Sequence, residues 1–389
     1  MKRVLTLTLM VCLIVSMAGM AFARTPGVTD DEIKIGSFMA LSGPLAFIGT
    51  PLKNGMQAYF KEVNANGGIN GRKITLIAED DQFMPAKTVA AVRKMVERDR
   101  VFGIVGGLGT PGGLAVKDYL VRRNVPFVYP ASGATEFSFP PKENIFVVQP
   151  NYRTEGKVIA KFLRDEFADK KIAFIHDDTE IGKEGARYTT ENMENYGLEP
   201  VADISFPGAN VDFSSYVLKL KEAGAEVVVF HGVMGPAAQI RKEAKKIGYD
   251  FEMIVNYALA DPLMFQLAGD AWNGVYATGW LPPLDAEEAG VNEFFTTYNK
   301  HFPEGGGLAY AAAGWVAAEV FCEAVERMGD DVTREELYDA LESFDNWNGV
   351  LARNISYSAV QRSGVTEMML LKAKDGQYVP ASDWYDGSY

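Results

Sequence analysis

Phe102-Gly-Ile-Val-Gly-Gly-Leu-Gly-Thr-Pro-Gly-Gly-Leu-Ala-Val116 joins a short apolar strand to a glycine-rich turn and the start of a helix. Such a turn lets backbone N–H groups converge on a negative group at a helix N-terminus, where the helix dipole also favours an anion. The stretch contains Gly107-x-Gly109-x-x-Gly112, a formal match to the dinucleotide-binding fingerprint. Two questions follow: whether strands and helices alternate on either side, and which anion sits here.

Alternation holds in both directions. Upstream, residues 33–38 read as a buried strand, 41–49 as a loop, and Thr50-Pro51 as the cap of a helix with Leu52, Met56, Tyr59 and Val63 on one face, ended by Gly67-Gly68. The pattern then predicts strand 73–78, helix 85–98, strand 101–105, helix 111–123 and strand 125–129. After the linker-like residues 149–153 a second series runs through helix 155–167, strand 171–175, helix 182–196, strand 201–206, helix 213–223, strand 227–231, helix 236–247 and strand 253–255. Short apolar strands alternating with helices imply βαβ units and parallel sheets covered on both faces. Helices near 291–301, 310–328 and 333–344 have no strands between them and are expected to pad an existing domain. Residues 366–372 read as an edge strand of either sheet.

With 389 residues and 48% hydrophobic content the chain has room for two domains of ordinary size. Lys2 and Arg3 precede an apolar run over residues 4–22, and Ala21-Phe22-Ala23 places small residues where a signal peptidase reads. Residues 1–23 are therefore expected to be a signal peptide cleaved after Ala23, giving an exported, periplasmic protein; a retained membrane anchor or a lipid on Cys12 is the minor alternative. Losing Lys2 and Arg3 takes the formal charge from −13 to −15, which argues against nucleic acid or an anionic membrane as a partner. Cys322 is then the only cysteine left and is expected to be a buried, inert thiol in a helix. His176, His231 and His301 show no ligand spacing, so no metal site is expected.

Two α/β units in an exported chain suggest a ligand held in the crevice between lobes, at the carboxyl ends of parallel strands. At this point the residues resemble a known family. Val28-Thr-Asp-Asp-Glu-Ile-Lys-Ile-Gly36, Leu41-Ser-Gly-Pro44, Asn64-x-x-Gly-Gly-Ile-Asn-Gly-Arg72, Glu79-Asp-Asp81 and Ile175-His-Asp-Asp178 are similar to the periplasmic leucine/isoleucine/valine-binding proteins of ABC importers. The motifs fall in order over nearly the whole mature chain. The resemblance implies a type I periplasmic binding protein: two Rossmann-like lobes with parallel-sheet cores, joined by a three-crossover hinge that bends to close on a ligand. Residues 24–149 plus 279–362 would then form lobe I, and 150–278 plus 363–389 lobe II.

The resemblance also assigns site residues. A hydroxyl and a backbone amide at Thr110, with amides from Ala131, Ser132 and Gly133, would hold the ligand's carboxylate; Thr110-Pro111 also serves as a plain helix cap, and Ser132-Gly133 as a plain turn. Where the family offers an acid to the ligand's ammonium, this chain has Tyr257, which carries no charge at neutral pH. Positions that carry tyrosines in leucine-binding relatives fall on Ile48, Ile181 and Val233, with Phe47 beside the first. Tyr310 matches an aromatic position of the family and reads equally well as helix core. The expected ligand has a carboxylate at one end and a sizeable apolar body: a hydrophobic amino acid of the branched-chain type, or an aromatic or aliphatic carboxylate.

An NAD-dependent oxidoreductase is the natural competitor, but Val128-Tyr-Pro-Ala131 stands where a ribose-binding acid belongs, and Pro111 interrupts the fingerprint. A P-loop lacks its Gly-Lys-Ser/Thr, and no Gly-x-Ser-x-Gly elbow is present. The sequence thus predicts a binding protein and not an enzyme, without cofactor, acting as a monomer and delivering ligand to an ABC permease in the inner membrane. A receptor subunit that hands carboxylic acids to a chemoreceptor is the alternative within the same fold.

Overall fold

The computed structural model describes residues 25–208, 212–284 and 288–389; the signal peptide expected over 1–23 lies outside the described residues. Five strands form the first sheet: β1 (Glu32–Met39), β2 (Lys73–Asp80), β3 (Ile104–Val105), β4 (Phe127–Val128) and β5 (Ile145–Phe146). All are parallel, in the order β2-β1-β3-β4-β5. Helices α1 (Ala46–Ala65), α2 (Pro85–Glu97) and α3 (Thr110–Arg122) follow β1, β2 and β3.

The second sheet holds β6 (Ile172–Asp177), β7 (Ala202–Phe206), β8 (Val227–His231), β9 (Glu252–Val255), β10 (Tyr276–Gly279), β11 (Glu367–Lys374) and β12 (Gln377–Pro380), with β13 (Tyr385–Asp386) paired to β11. Its order is β12-β11-β10-β9-β8-β6-β7; β6 to β10 run parallel, and β11 is antiparallel to both neighbours. Helices α4 (Tyr152–Phe167), α5 (Glu180–Glu194), α6 (Ser214–Glu222), α7 (Met234–Lys246) and the short α8 (Leu263–Ala268) belong to this unit. Every residue of β6 and β8 is buried, as a sheet covered on both faces requires.

Three helices return to the first sheet: α9 (Ala289–His301), α10 (Leu308–Met328) and α11 (Arg334–Glu342). The chain therefore passes between the sheets three times, after β5, after β10 and before β11. Helix α10 lies along α1 at very short range: a Cβ on Gly55 would fall 1.8 Å from the Ala311 carbonyl oxygen, and one on Gly314 2.0 Å from that of Leu52. Glycine is required at both because the backbones touch. Tyr59 and Trp315 complete the seam edge to face, ring centres 4.9 Å apart. Helix α10 is apolar enough to pass for a membrane span, yet most of it is buried in the protein. Cys322 on it is free and buried, as read from the sequence.

The structure adds β5, α8, β12 and β13, which the sequence reading did not find, and departs from it elsewhere. Helix α1 begins at Ala46, so residues 46–49 are helical and Pro51 lies inside the helix instead of following its cap. Strand β11 is not an edge, because β12 continues the sheet beyond it. The expected strands 101–105 and 125–129 keep only two residues of regular ladder each. Gly106, Gly107, Gly109 and Tyr129 adopt positive φ at their ends, and pairing continues only through an isolated bridge between Leu108 and Ala131.

Candidate functional site

The carboxyl ends of both sheets face a common cavity of about 320 Å³. Its walls come from the residues that follow strands: Leu108 to Thr110 after β3, Tyr129 to Ser132 after β4, Ile181 after β6, Val233 after β8 and Tyr257 after β9. This is where open parallel sheets bind ligands, because the loops there diverge and helix N-termini point in.

Of the ten positions singled out from sequence, Ile48, Thr110, Ala131, Ser132, Ile181, Val233, Tyr257 and Tyr310 line this cavity; Phe47 and Gly133 do not. The early start of α1 accounts for Phe47. One helical residue turns the side chain by about 100°, so Ile48 faces inward while Phe47 is 37% exposed. Gly133 lies just behind the wall. Its carbonyl accepts from the Tyr152 N–H at 2.7 Å, and a Cβ on it would sit 2.5 Å from the Tyr152 ring and 2.7 Å from the Tyr257 hydroxyl. Glycine here lets two aromatic rings close over the backbone.

Hydroxyls cluster at the N-terminus of α3. The Thr110 Oγ1 is 2.7 Å from the Ser132 Oγ and 3.3 Å from the Tyr152 hydroxyl, and the Ala134 N–H donates to the Ser132 Oγ at 3.1 Å. The backbone amides do not behave as expected. The Ala131 N–H donates to the Gly107 carbonyl and the Ser132 N–H to that of Pro130, so neither is free for a ligand. Among the described residues the N–H groups of Thr110, Gly112 and Gly133 have no protein acceptor. Of these three only Thr110 lines the cavity, so its N–H and the hydroxyls are the donors that face an anion there, at the positive end of a helix dipole.

Tyr257 is wired to the hinge. Its hydroxyl accepts from the Gln149 Nε2 at 2.7 Å, and its N–H donates to the Glu155 Oε1 at 2.8 Å. Gln149 lies in the first crossover, Glu155 at the start of α4, and Thr278, which also donates to Glu155, at the second crossover. Burial pushes the Glu155 carboxyl up to about 7, against those two hydrogen bonds. The Tyr257 phenol is raised well above its ordinary value by burial and then by its tyrosine and glutamate neighbours, so it stays protonated.

Further hydrogen bonds join the two lobes. The Tyr310 hydroxyl donates to the Ala258 carbonyl at 2.7 Å, the Ala309 N–H to the Asp261 Oδ2 at 3.2 Å, and the Thr135 N–H to the Glu184 Oε2 at 2.9 Å. Tyr310 is thus both wall and tie. Sequence reading missed Gln149, Tyr152 and the segment Leu281 to Leu284 as cavity residues. The change of pattern at Pro282-Pro283 was their one visible sign. No group of three metal-capable side chains is found among the described residues.

Two α/β lobes, three crossings and a cavity between the carboxyl ends of both sheets define the architecture of a bilobal binding protein. The chain belongs to the periplasmic binding protein family, whose profile matches residues 32–377. A Leu/Ile/Val-binding protein homologue of Brucella abortus is 27% identical over 381 residues, covering 94% of each chain. In fold, it matches a fatty acid ABC transporter substrate-binding protein from Thermomonospora curvata (TM-score 0.84, 22% identity, 93% and 94% coverage). A branched-chain amino acid ABC transporter protein from Thermus thermophilus with bound valine is similar too (TM-score 0.83, 22% identity, 92% and 97% coverage). The resemblance read from the five sequence motifs holds, and so does the two-lobe architecture.

Proposed function

We propose that this chain is the extracytoplasmic solute-binding protein of an ABC importer and captures a hydrophobic carboxylate by hinge closure. The observation that carries this reading is the hydroxyl cluster of Thr110, Ser132 and Tyr152 at the N-terminus of α3, opening into an otherwise apolar cavity. Neutral donors and a helix dipole stabilise a carboxylate with no buried cation to desolvate. The ligand first meets lobe I, and lobe II then brings Ile181, Val233 and Tyr257 onto it. Closure is favoured because the ligand bridges both lobes and binds the shut state better than the open one.

Other features fit this reading. The N-terminal segment reads as an export signal, relatives are named for Leu/Ile/Val binding, and solved neighbours are named for fatty acids and for branched-chain amino acids. The chain works as a monomer without turnover, and the closed form docks on a membrane permease that supplies the energy of transport.

Native mass spectrometry of gently purified protein, followed by identification of any released small molecule, tests the reading directly. A hydrophobic carboxylate is expected, and the same class should raise the thermal midpoint by several degrees in a screen. Stabilisation only by small polar amides, or release of a nicotinamide dinucleotide, overturns it.

A further inference from the structure

The hydroxyl donors of the cavity gather at one pole, and the side-chain amide of Gln377 on β12 is a neutral polar group elsewhere in its lining. Tyr257 belongs to the lobe opposite Thr110, where the sequence comparison places a partner for an ammonium. Yet its hydroxyl lies 2.7 Å from the point a Gly133 Cβ would occupy. Gly133 adjoins Ser132 and packs under Tyr152, so closure delivers the Tyr257 hydroxyl to the carboxylate pole itself. Because the Tyr257 oxygen accepts from the Gln149 Nε2, its own proton is left to donate. Among the described residues it has no protein acceptor. A proton offered to the cavity attracts an acceptor and repels an ammonium.

Charge leads to the same conclusion. Among the described residues, none that lines the cavity is an acid or a base. Buried carboxyls stand in the framework behind the wall: Asp177, beside Gly232, Glu155 and Asp261. Asp177 Oδ1 accepts from the N–H groups of Thr179 and Gly182. Glu155 Oε1 accepts from the Tyr257 N–H and the Thr278 hydroxyl, while its buried Oε2 has no protein partner among the described residues. Asp261 accepts from the N–H groups of Leu263 and Ala309. An ammonium shut in this cavity would be desolvated without a counter-charge, an expensive state.

Size adds the last element. A cavity of about 150 Å³ takes one benzene, so 320 Å³ holds roughly a dozen non-hydrogen atoms, a few more than leucine carries. The space away from the hydroxyls is bounded by Leu52, Leu281, Leu284, Phe295 and Leu308.

We propose that the site takes a monocarboxylate with no cationic group and an aliphatic chain longer than that of a branched-chain amino acid, with Tyr257 donating to the carboxylate. This rests on the carboxylate-binding reading above and narrows it. Tyr257 is then a specificity-determining residue: it replaces an ammonium acceptor with one more carboxylate donor.

The test is calorimetry on the full mature chain, unfolded and refolded to strip carried-over ligand, with leucine, 4-methylpentanoate (leucine without its ammonium), decanoate and decylamine. Removing the ammonium should tighten binding at least about tenfold, as expected for one buried unpaired charge. Decanoate should bind tighter again, by about threefold to fourfold for each added methylene that is buried, and decylamine should not bind. Y257F should weaken decanoate about tenfold, the loss of one hydrogen bond to a charged group, and should leave leucine unimproved. Leucine binding as tightly as 4-methylpentanoate, or tighter, overturns this proposal and leaves the carboxylate reading standing. Failure of leucine and both acids to bind overturns both. Unchanged decanoate affinity in a folded Y257F, checked by circular dichroism, overturns the role of Tyr257; if that variant misfolds, the ratio of 4-methylpentanoate to leucine on the unaltered protein decides alone.

Discussion

The two lobes meet the cavity in different ways. In lobe I, β3 and β4 keep two residues of regular ladder each and then bend through residues of positive φ, which aims Thr110 and Ser132 at the ligand space. In lobe II, β6 and β8 run for six and five residues, wholly buried, and lead within a few residues into α5 and α7. Lobe I gives up regular pairing to shape a polar surface, whereas lobe II keeps its sheet regular and offers the aliphatic cover of Ile181 and Val233. Tyr129 in lobe I is the clearest sign of this division: a non-glycine residue at φ 59°, buried, in the cavity wall. Recognition of the carboxylate should therefore rest first on lobe I, with Tyr152 and Tyr257 the donors that the second unit adds on closure.

The largest break in that division is Gly133→Val. Its side chain would enter space already taken by the Tyr152 ring and the Tyr257 hydroxyl, so overpacking should lower stability by about 3 kcal/mol. Thermal melts and calorimetry should show a depressed midpoint and lost binding; a variant that melts and binds as the parent would refute the close packing at this pole.

Acidification tests both lobes at once. Glu155 of lobe II and Glu319 of α10 are each held near 7 by burial, above the ordinary 4.5. The folded state therefore binds more protons than the unfolded chain between those values, and stability from these groups falls as pH rises through the window. Lowering pH from about 8 to about 5.5 should add about 2 kcal/mol from Glu155, with a similar share from Glu319. In urea titrations, Glu155→Gln and Glu319→Gln should each flatten the profile. A profile unchanged in both variants would place the titration elsewhere.

Thr110→Val sharpens the lobe I half. Losing the hydroxyl that bonds Ser132 and Tyr152 at the proposed carboxylate pole should weaken carboxylate binding by about 2 kcal/mol, read by calorimetry. The smallest effect is expected on the opposite wall, where Val233→Ala removes two methyl groups of cover and should cost under about 1.5 kcal/mol. If the valine change cost more than the threonine change, the division of labour would be reversed.

Much of this was legible in the sequence, for reasons that differ by region. Strand β8 is found over the residues read for it, 227–231, because a fully buried parallel strand is an uninterrupted apolar run bounded by turns. Thr110 and Ser132 could be singled out through the family resemblance, and they reach the cavity because a parallel sheet puts the ends of its strands at the crevice. The positive φ of Gly107 and Gly109 shows why a fingerprint-like pattern stands there: the turn needs left-handed residues. Gln149 and Tyr152 were not legible as site residues, since their place depends on where the first crossover runs. The bond from Gln149 to Tyr257 spans 108 positions of sequence, and no local pattern encodes it. The position of Tyr257 could be read; the pole it joins could not, because that depends on how far lobe II swings.

Glu319 carries a further consequence. In the folded protein its carboxyl accepts from the N–H groups of Val350, Leu351 and Ala352, and so ties α10 to the loop after α11. For a chain threaded unfolded through a secretion channel, the same residue acts earlier. A carboxylate near the middle of so apolar a segment would cost about 3 kcal/mol to leave in lipid, which would favour passage over lodging as a stop-transfer sequence. If the chain is exported in this way, as its N-terminal residues lead one to expect, the tie that completes lobe I would also disfavour its longest helix as an anchor in transit.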